Sequence, residues 1–251
     1  MTAEWPLGTV GLKVLDLERE VEFYEWFGLS RLGDQNGHAV LGVDGAPLLR
    51  LQPLPGGRER PPHTAGLYHF AILLPSEEEL GGFLSRSLEE KLPLTGTADH
   101  LVSQALYFDD PEGNGIEVYA DRPRSEWRYP NGRLDIGTVH LDFERLLRIA
   151  KAPQKKFSPA TLLGHVHLNV SDLDRSQAFY ESMGMELTAE AGHVMRFMSW
   201  DGYHHHLGIN LLEGRGAARV EPQVRGLQSF EVRRLDGPRT DPDGVVVRPP
   251  A

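Results

Sequence analysis

Cysteine is absent from all 251 residues. Disulfides, thiolate nucleophiles and Cys-based zinc or iron–sulfur sites are therefore excluded. Long apolar runs are missing too, and no stretch approaches the roughly 18 residues of a membrane span. The start, MTAEWPLGTV, lacks a basic region followed by an apolar run. No secretory leader is expected on that ground, and the cytoplasm is the expected location. Clustered positive charge is lacking as well. The net charge is −10 and no lysine/arginine tract dominates any segment, which argues against nucleic acid or a membrane surface as partner. What is left is ordinary for a globular chain, 40% hydrophobic and 25% charged. The length suits one large domain or two small ones with a core of normal size.

What the chain does hold is repetition. Residues 9–29, TVGLKVLDLEREVEFYEWFGL, align without a gap to residues 165–185, HVHLNVSDLDRSQAFYESMGM, with 10 of 21 positions identical. A fainter echo joins GLYHFAILLP (66–75) to GLQSFEVRRL (226–235), and another joins DDPEGNGIEVY (109–119) to TDPDGVVVRPP (240–250). Such self-similarity implies related structural units. Val10, Leu12 and Val14 alternate with polar or small residues, as do Val166, Leu168 and Val170. That period of two predicts strands with one apolar face. Asp16 and Asp172 can each cap a helix, which is expected to stop at Gly28 or Gly184. Short strands follow, broken by turns at VDGAP (43–47), DPEGNG (110–115) and WDGYH (200–204).

Each unit thus reads strand, helix, strand, strand, strand. Units one (6–55) and two (64–121) form a first domain, 1–121. A connector, 122–160, holds one expected helix over 141–151. Unit three (162–214) and unit four (224–251) form a second domain, 161–251. Unit four is truncated: 39 residues lie between Phe70 and Asp110 but only 10 between Phe230 and Asp241. It has room for neither a helix of usual length nor all of its strands. A homodimer is expected to cover the sheet edge this leaves.

Three strands aim a metal-capable group away from an apolar face. His165, His167 and Asn169 share one face of their strand, His69 shares a face with Ala71, and Glu117 shares one with Tyr119. A lone histidine on a strand is more often a hydrogen-bonded structural residue, and a glutamate after a turn is more often solvated. Together, two neutral imidazoles and one carboxylate make the facial triad that suits non-haem Fe(II).

A βαβββ unit repeated four times, with GHVHLNVSDLDRSQAFY and DPEGNGIEVY as its strongest signatures, resembles the vicinal oxygen chelate superfamily. That group includes glyoxalase I, extradiol ring-cleaving dioxygenases and bleomycin-resistance-like binding proteins. The resemblance is nearest to bacterial catechol-2,3-dioxygenase-like proteins and covers most of the chain outside 122–160. It implies an α+β fold whose mixed sheets curl around a metal cavity. It also implies Fe(II), or Mn(II) or another divalent metal, held by His69, His165 and Glu117. The ligand position of the first strand falls on Thr9 in unit one and Ser229 in unit four. That of the last strand falls on Arg50, Asn210 and Arg248 in units one, three and four. None is a good divalent-metal ligand, so the site requires unit two to pair with unit three. If unit one pairs with two instead, His165 is out of reach.

The resemblance extends to proton-handling groups. His100 and Tyr107 sit in a DHLVS…Y lead-in to Glu117. In the family pattern, HHLGI (205–209) selects His205 as the acid/base histidine. Strand alternation selects His206 instead, and His204 reads as a turn residue. The function implied is an Fe(II)-dependent extradiol dioxygenase taking a small aromatic diol and O2. A glyoxalase-like lyase or isomerase and a metal-free binding protein are the alternatives. The single acidic ligand counts against the lyase, and the reduced fourth unit favours the binding protein.

Overall fold

The computed structural model describes residues 5–250. Unit one runs β1 (Leu7–Val14), α1 (Leu17–Phe27), β2 (Ser30–Gln35), β3 (His38–Val43) and β4 (Ala46–Pro53). Unit two repeats the order with β5 (Gly66–Leu74), α2 (Glu77–Glu90), β6 (Leu94–Asp99), β7 (Ser103–Asp109) and β8 (Gly115–Asp121). The connector carries α3 (Phe143–Arg148), shorter than the helix expected over 141–151. Unit three comprises β9 (Leu162–Asn169), α4 (Leu173–Glu181), β10 (Glu186–Ala191), β11 (Met195–Ser199) and β12 (Leu207–Asn210). Unit four is β13 (Gly226–Val232), β14 (Arg239–Thr240) and β15 (Val246–Arg248). It has lost the helix and one strand, and β14 is reduced to two exposed residues.

Local chemistry sets these elements. Asp16 and Asp172 each accept a hydrogen bond from the backbone N–H three residues on, capping α1 and α4. Gly28 ends α1 at φ 138°, a conformation few other residues adopt. Helix α4 stops earlier than its glycine suggests, at Glu181, and Gly184 closes the following turn.

The sheets join units in a way chain order alone does not give. Strands of units one and four make a seven-stranded sheet, β14-β15-β13-β1-β4-β3-β2. Strands of units two and three make an eight-stranded sheet, β10-β11-β12-β9-β5-β8-β7-β6. In each, two first strands pair antiparallel at the centre, β1 with β13 and β5 with β9. Each sheet turns its alternate apolar residues into one shared core. Val10, Leu12 and Phe230 meet Phe70, Ile72, Val166 and Leu168 there, with Tyr24, Phe27, Leu84 and Tyr180 from the helices. The opposite faces, freed from the core, carry the polar residues. No helix among the described residues is long and apolar enough to cross a membrane.

Candidate metal centre

Ala71 on β5 is the pivot of the site. Its antiparallel partner on β9 is His165 and its parallel partner on β8 is Glu117. A methyl side chain leaves the space above it open, so the imidazole and the carboxylate converge over it. His69, two residues earlier on the same face, closes the third side. His69 Nε2 lies 3.0 Å from Glu117 Oε2 and 3.3 Å from His165 Nε2, and His165 Nε2 lies 3.1 Å from Glu117 Oε2. All three residues are buried.

This donor set fits a divalent cation. Three ligands at right angles around an ion about 2.1 Å from each stand about 3.0 Å apart, and the separations here are 3.0, 3.1 and 3.3 Å. Burial pushes the His165 imidazole down to about 4 against the pull of Glu117, so it is neutral and offers a lone pair at neutral pH. Burial pushes the Glu117 carboxyl up, but His165 and His69 outweigh this and hold it well below the usual carboxylate range. One requirement is unmet within the protein: His165 Nδ1 is buried without a hydrogen-bond partner, where ligating histidines ordinarily have one.

The triad opens on a cavity of about 370 Å³. Tyr68, Ile136, Met195 and Phe197 give it apolar walls, and among the described residues no lysine or arginine lines it. On one side His100 donates from Nδ1 to the Gly137 carbonyl at 2.7 Å. Its Nε2 therefore accepts from the Tyr107 hydroxyl at 2.6 Å. Burial and the nearby Glu117 push the Tyr107 phenol well above its usual range.

The run His204–His206 divides three ways. His205 lines the cavity, its ring 4.1 Å from that of His165. His206 does not reach it. Its ring packs against Trp5, Trp200 and Tyr203, and its Nδ1 accepts from the Trp200 N–H. Strand alternation misplaces it because β12 begins only at Leu207. His204 sits at a bend of the loop ahead of β12, as expected, but does not face solvent. It is fully buried, 2.7 Å from His205 and 2.9 Å from Asp121.

Strand register also corrects the last-strand position of unit three. Gly208, not Asn210, pairs with His167, as Glu117 pairs with Ala71. A Cβ at Gly208 would stand 2.8 Å from the His167 ring, so the glycine makes room for that imidazole. His167 lines the cavity beside His69, and its Nε2 is buried without a partner. The connector also contributes Ile136, Gly137 and Thr138, pinned by the bridge between Asp99 and Val139. Alternation already puts His167 on the face of His165, whereas the connector's contribution carries no signal in the sequence.

The model of the Glyoxalase/Bleomycin resistance protein/Dioxygenase superfamily matches residues 7–118 and 162–237, and the chain belongs to that superfamily. It is 42% identical over 233 residues to the catechol-2,3-dioxygenase of Bacillus subtilis (strain 168), spanning 90% of this chain and 81% of that protein. A shorter match, 31% identical over 119 residues, joins 43% of the chain to 55% of biphenyl-2,3-diol 1,2-dioxygenase 2 of Rhodococcus globerulus. Glyoxalase I from Zea mays superposes with a TM-score of 0.54 at 17% identity, over 96% of this chain and 90% of that one. That likeness bears on the fold alone.

Proposed function

We propose that this enzyme is an Fe(II)-dependent extradiol dioxygenase acting on an uncharged catechol, with His69, His165 and Glu117 as the metal ligands. The observation that carries this is the two-imidazole, one-carboxylate set facing an aromatic-walled cavity. The similarity to a catechol-2,3-dioxygenase over 90% of the chain supports it. Fe(II), when bound there, supplies Lewis-acid polarisation of the diol oxygens and a position for O2.

The chain's own residues do the rest. Phe197 and Tyr68 line the cavity and offer a flat ring aromatic surfaces to pack against. His205 takes the proton of a diol hydroxyl. Tyr107, hydrogen-bonded to His100, handles a second proton as the ring opens. Among the described residues the lining has no lysine or arginine to offer a carboxylated catechol a fixed cation, so neutral substituents are favoured.

Iron loading under argon followed by catechol in air-saturated buffer tests this reading. One O2 is consumed per catechol, both oxygen atoms enter the product and one ring carbon–carbon bond is lost. His69→Ala abolishes bound iron and O2 uptake together. Survival of both in that variant overturns the assignment. Turnover of a hemithioacetal without O2 uptake would favour the lyase alternative.

A further inference from the structure

We propose that Asp121 and His204 are positioning residues that hold His205 as its Nδ1–H tautomer, with Nε2 bare toward the cavity. The proposal rests on reading that cavity as the place of diol chemistry.

The argument follows hydrogen-bond direction. A carboxylate only accepts, so the contact of 2.9 Å between His204 Nε2 and Asp121 Oδ1 places a proton on His204 Nε2. We take His204 as neutral; its imidazole then carries one N–H, which leaves a lone pair on Nδ1. That atom lies 2.7 Å from His205 Nδ1. His205 must therefore donate from Nδ1, and its remaining nitrogen, Nε2, carries the lone pair. Such a nitrogen accepts a hydroxyl proton at once: the O–H bond breaks, an N–H bond forms and the electron pair stays on oxygen.

The surroundings hold this chain rigid. His204 is fully buried, with its ring 4.0 Å from Tyr203 and 5.4 Å from Trp127. Asp121 is itself fixed by the Tyr203 hydroxyl at 3.0 Å, and Tyr119 meets Tyr203 at 2.8 Å. Phe197 and His165 pack against the His205 ring, with centroids 5.0 and 4.1 Å away. Asp121 is the last residue of β8, the strand that carries Glu117. One strand of unit two therefore supplies a candidate metal ligand and also orients the acid/base group of unit three. The sequence offers a reason for consecutive histidines: the second acts, the first orients it, and the third packs.

Histidine-selective 15N labelling of the metal-free protein reads the tautomer directly. Wild type is expected to show His205 as Nδ1–H. His204→Ala removes the acceptor and moves His205 toward Nε2–H, with kcat on catechol falling about 10- to 100-fold while KM and bound iron change less than about 3-fold. His204→Asn offers an amide oxygen near the place of Nδ1 and restores both the tautomer and most of kcat. Asp121→Ala, at the less buried end of the chain, removes the acceptor of the His204 Nε2 proton, shifts the tautomer the same way as His204→Ala and serves if the latter does not fold. An Nε2–H His205 in wild type overturns the proposal. So does a tautomer that neither substitution moves, or equal loss in His204→Ala and His204→Asn. Because the spectrum needs no turnover, absent O2 uptake in wild type with the expected tautomer sinks the catalytic reading and not the hydrogen-bond chain.

Discussion

The eight-stranded sheet carries His69, His165 and Glu117 on its polar face; matching positions of the seven-stranded sheet carry Thr9, Ser229 and Arg50. The register is shared, since Gly11 pairs with Arg50 as Ala71 pairs with Glu117. Unit four adds Glu231, paired with Arg248. There the buried carboxylate already has its cations. Glu231 Oε1 lies 3.7 Å from both Arg50 and Arg248, and Oε2 accepts from the Thr9 N–H at 3.1 Å. Glu117 instead meets the His69 and His165 imidazoles, and among the described residues no arginine or lysine pairs with it. A buried carboxylate without a fixed cation is costly unless something positive completes it. The same scaffold thus makes a self-neutralised interior in one sheet and an incomplete, cation-seeking one in the other.

Paired substitutions break or sharpen that comparison most strongly. Glu117→Gln is expected to lower bound metal and ring cleavage by more than about 100-fold. Glu231→Gln is expected to leave metal content and turnover unchanged. It strands Arg50 and Arg248 opposite a neutral amide and costs about 2–3 kcal/mol in urea unfolding. Metal analysis and urea midpoints on the two variants decide it. Metal loss in Glu231→Gln would mean that the two interiors are coupled.

Much of this was legible in the sequence because it rests on period and repetition. Alternation placed Val10, Leu12, Val166 and Leu168 in the core, and the 156-residue offset exposed the units. The superfamily resemblance holds. The faces of His69, His165 and Glu117 followed from alternation within regular strands. What failed lay where regularity stops. His204 and His206 precede β12, so no period assigns them a side. Gly208 and Asn210 were confused because parallel register between β9 and β12 depends on where β12 begins. Asp121 and the connector residues at 136–138 reach the site through tertiary contacts that no local pattern announces.

A second contrast lies in the helices. Glu20 on α1 corresponds by the 156-residue offset to Ser176 on α4. Both are fully buried, and both Glu20 oxygens lack a hydrogen-bond partner. Burial, with Asp110 and Glu112 nearby, pushes the Glu20 carboxyl up to about 9. The unfolded chain releases this proton near 4.5, the ordinary value. The folded state therefore holds one more proton between pH 4.5 and 9, and stability falls as pH rises through that window. Glu20→Gln removes this slope. It is expected to match wild type near pH 5 and exceed it by about 1–2 kcal/mol at pH 8, after allowance for screening. Urea midpoints across that range read the difference, and a constant gap between the two proteins would refute it.

The smallest effect concerns what the two halves share. The Tyr24 hydroxyl donates to Asp110 at 2.7 Å, and the Tyr180 hydroxyl donates to Asp241 at 3.0 Å. Each aspartate also accepts two backbone N–H groups of its own turn, from Glu112 and Asn114 in one half and Asp243 and Val245 in the other. The FY and DPxG motifs are therefore one device used twice, fastening a helix from one sheet's unit to a turn in the other sheet. Tyr24→Phe and Tyr180→Phe keep the ring in the core and remove one hydrogen bond each, at about 1 kcal/mol apiece. The pairs share no partner, so the double variant should lose about the sum, with metal content and ring cleavage intact. A larger loss in the double variant would mean that the fastenings hold the two sheets together cooperatively. A change in metal content would tie the self-neutralised half of the molecule to the metal-seeking half.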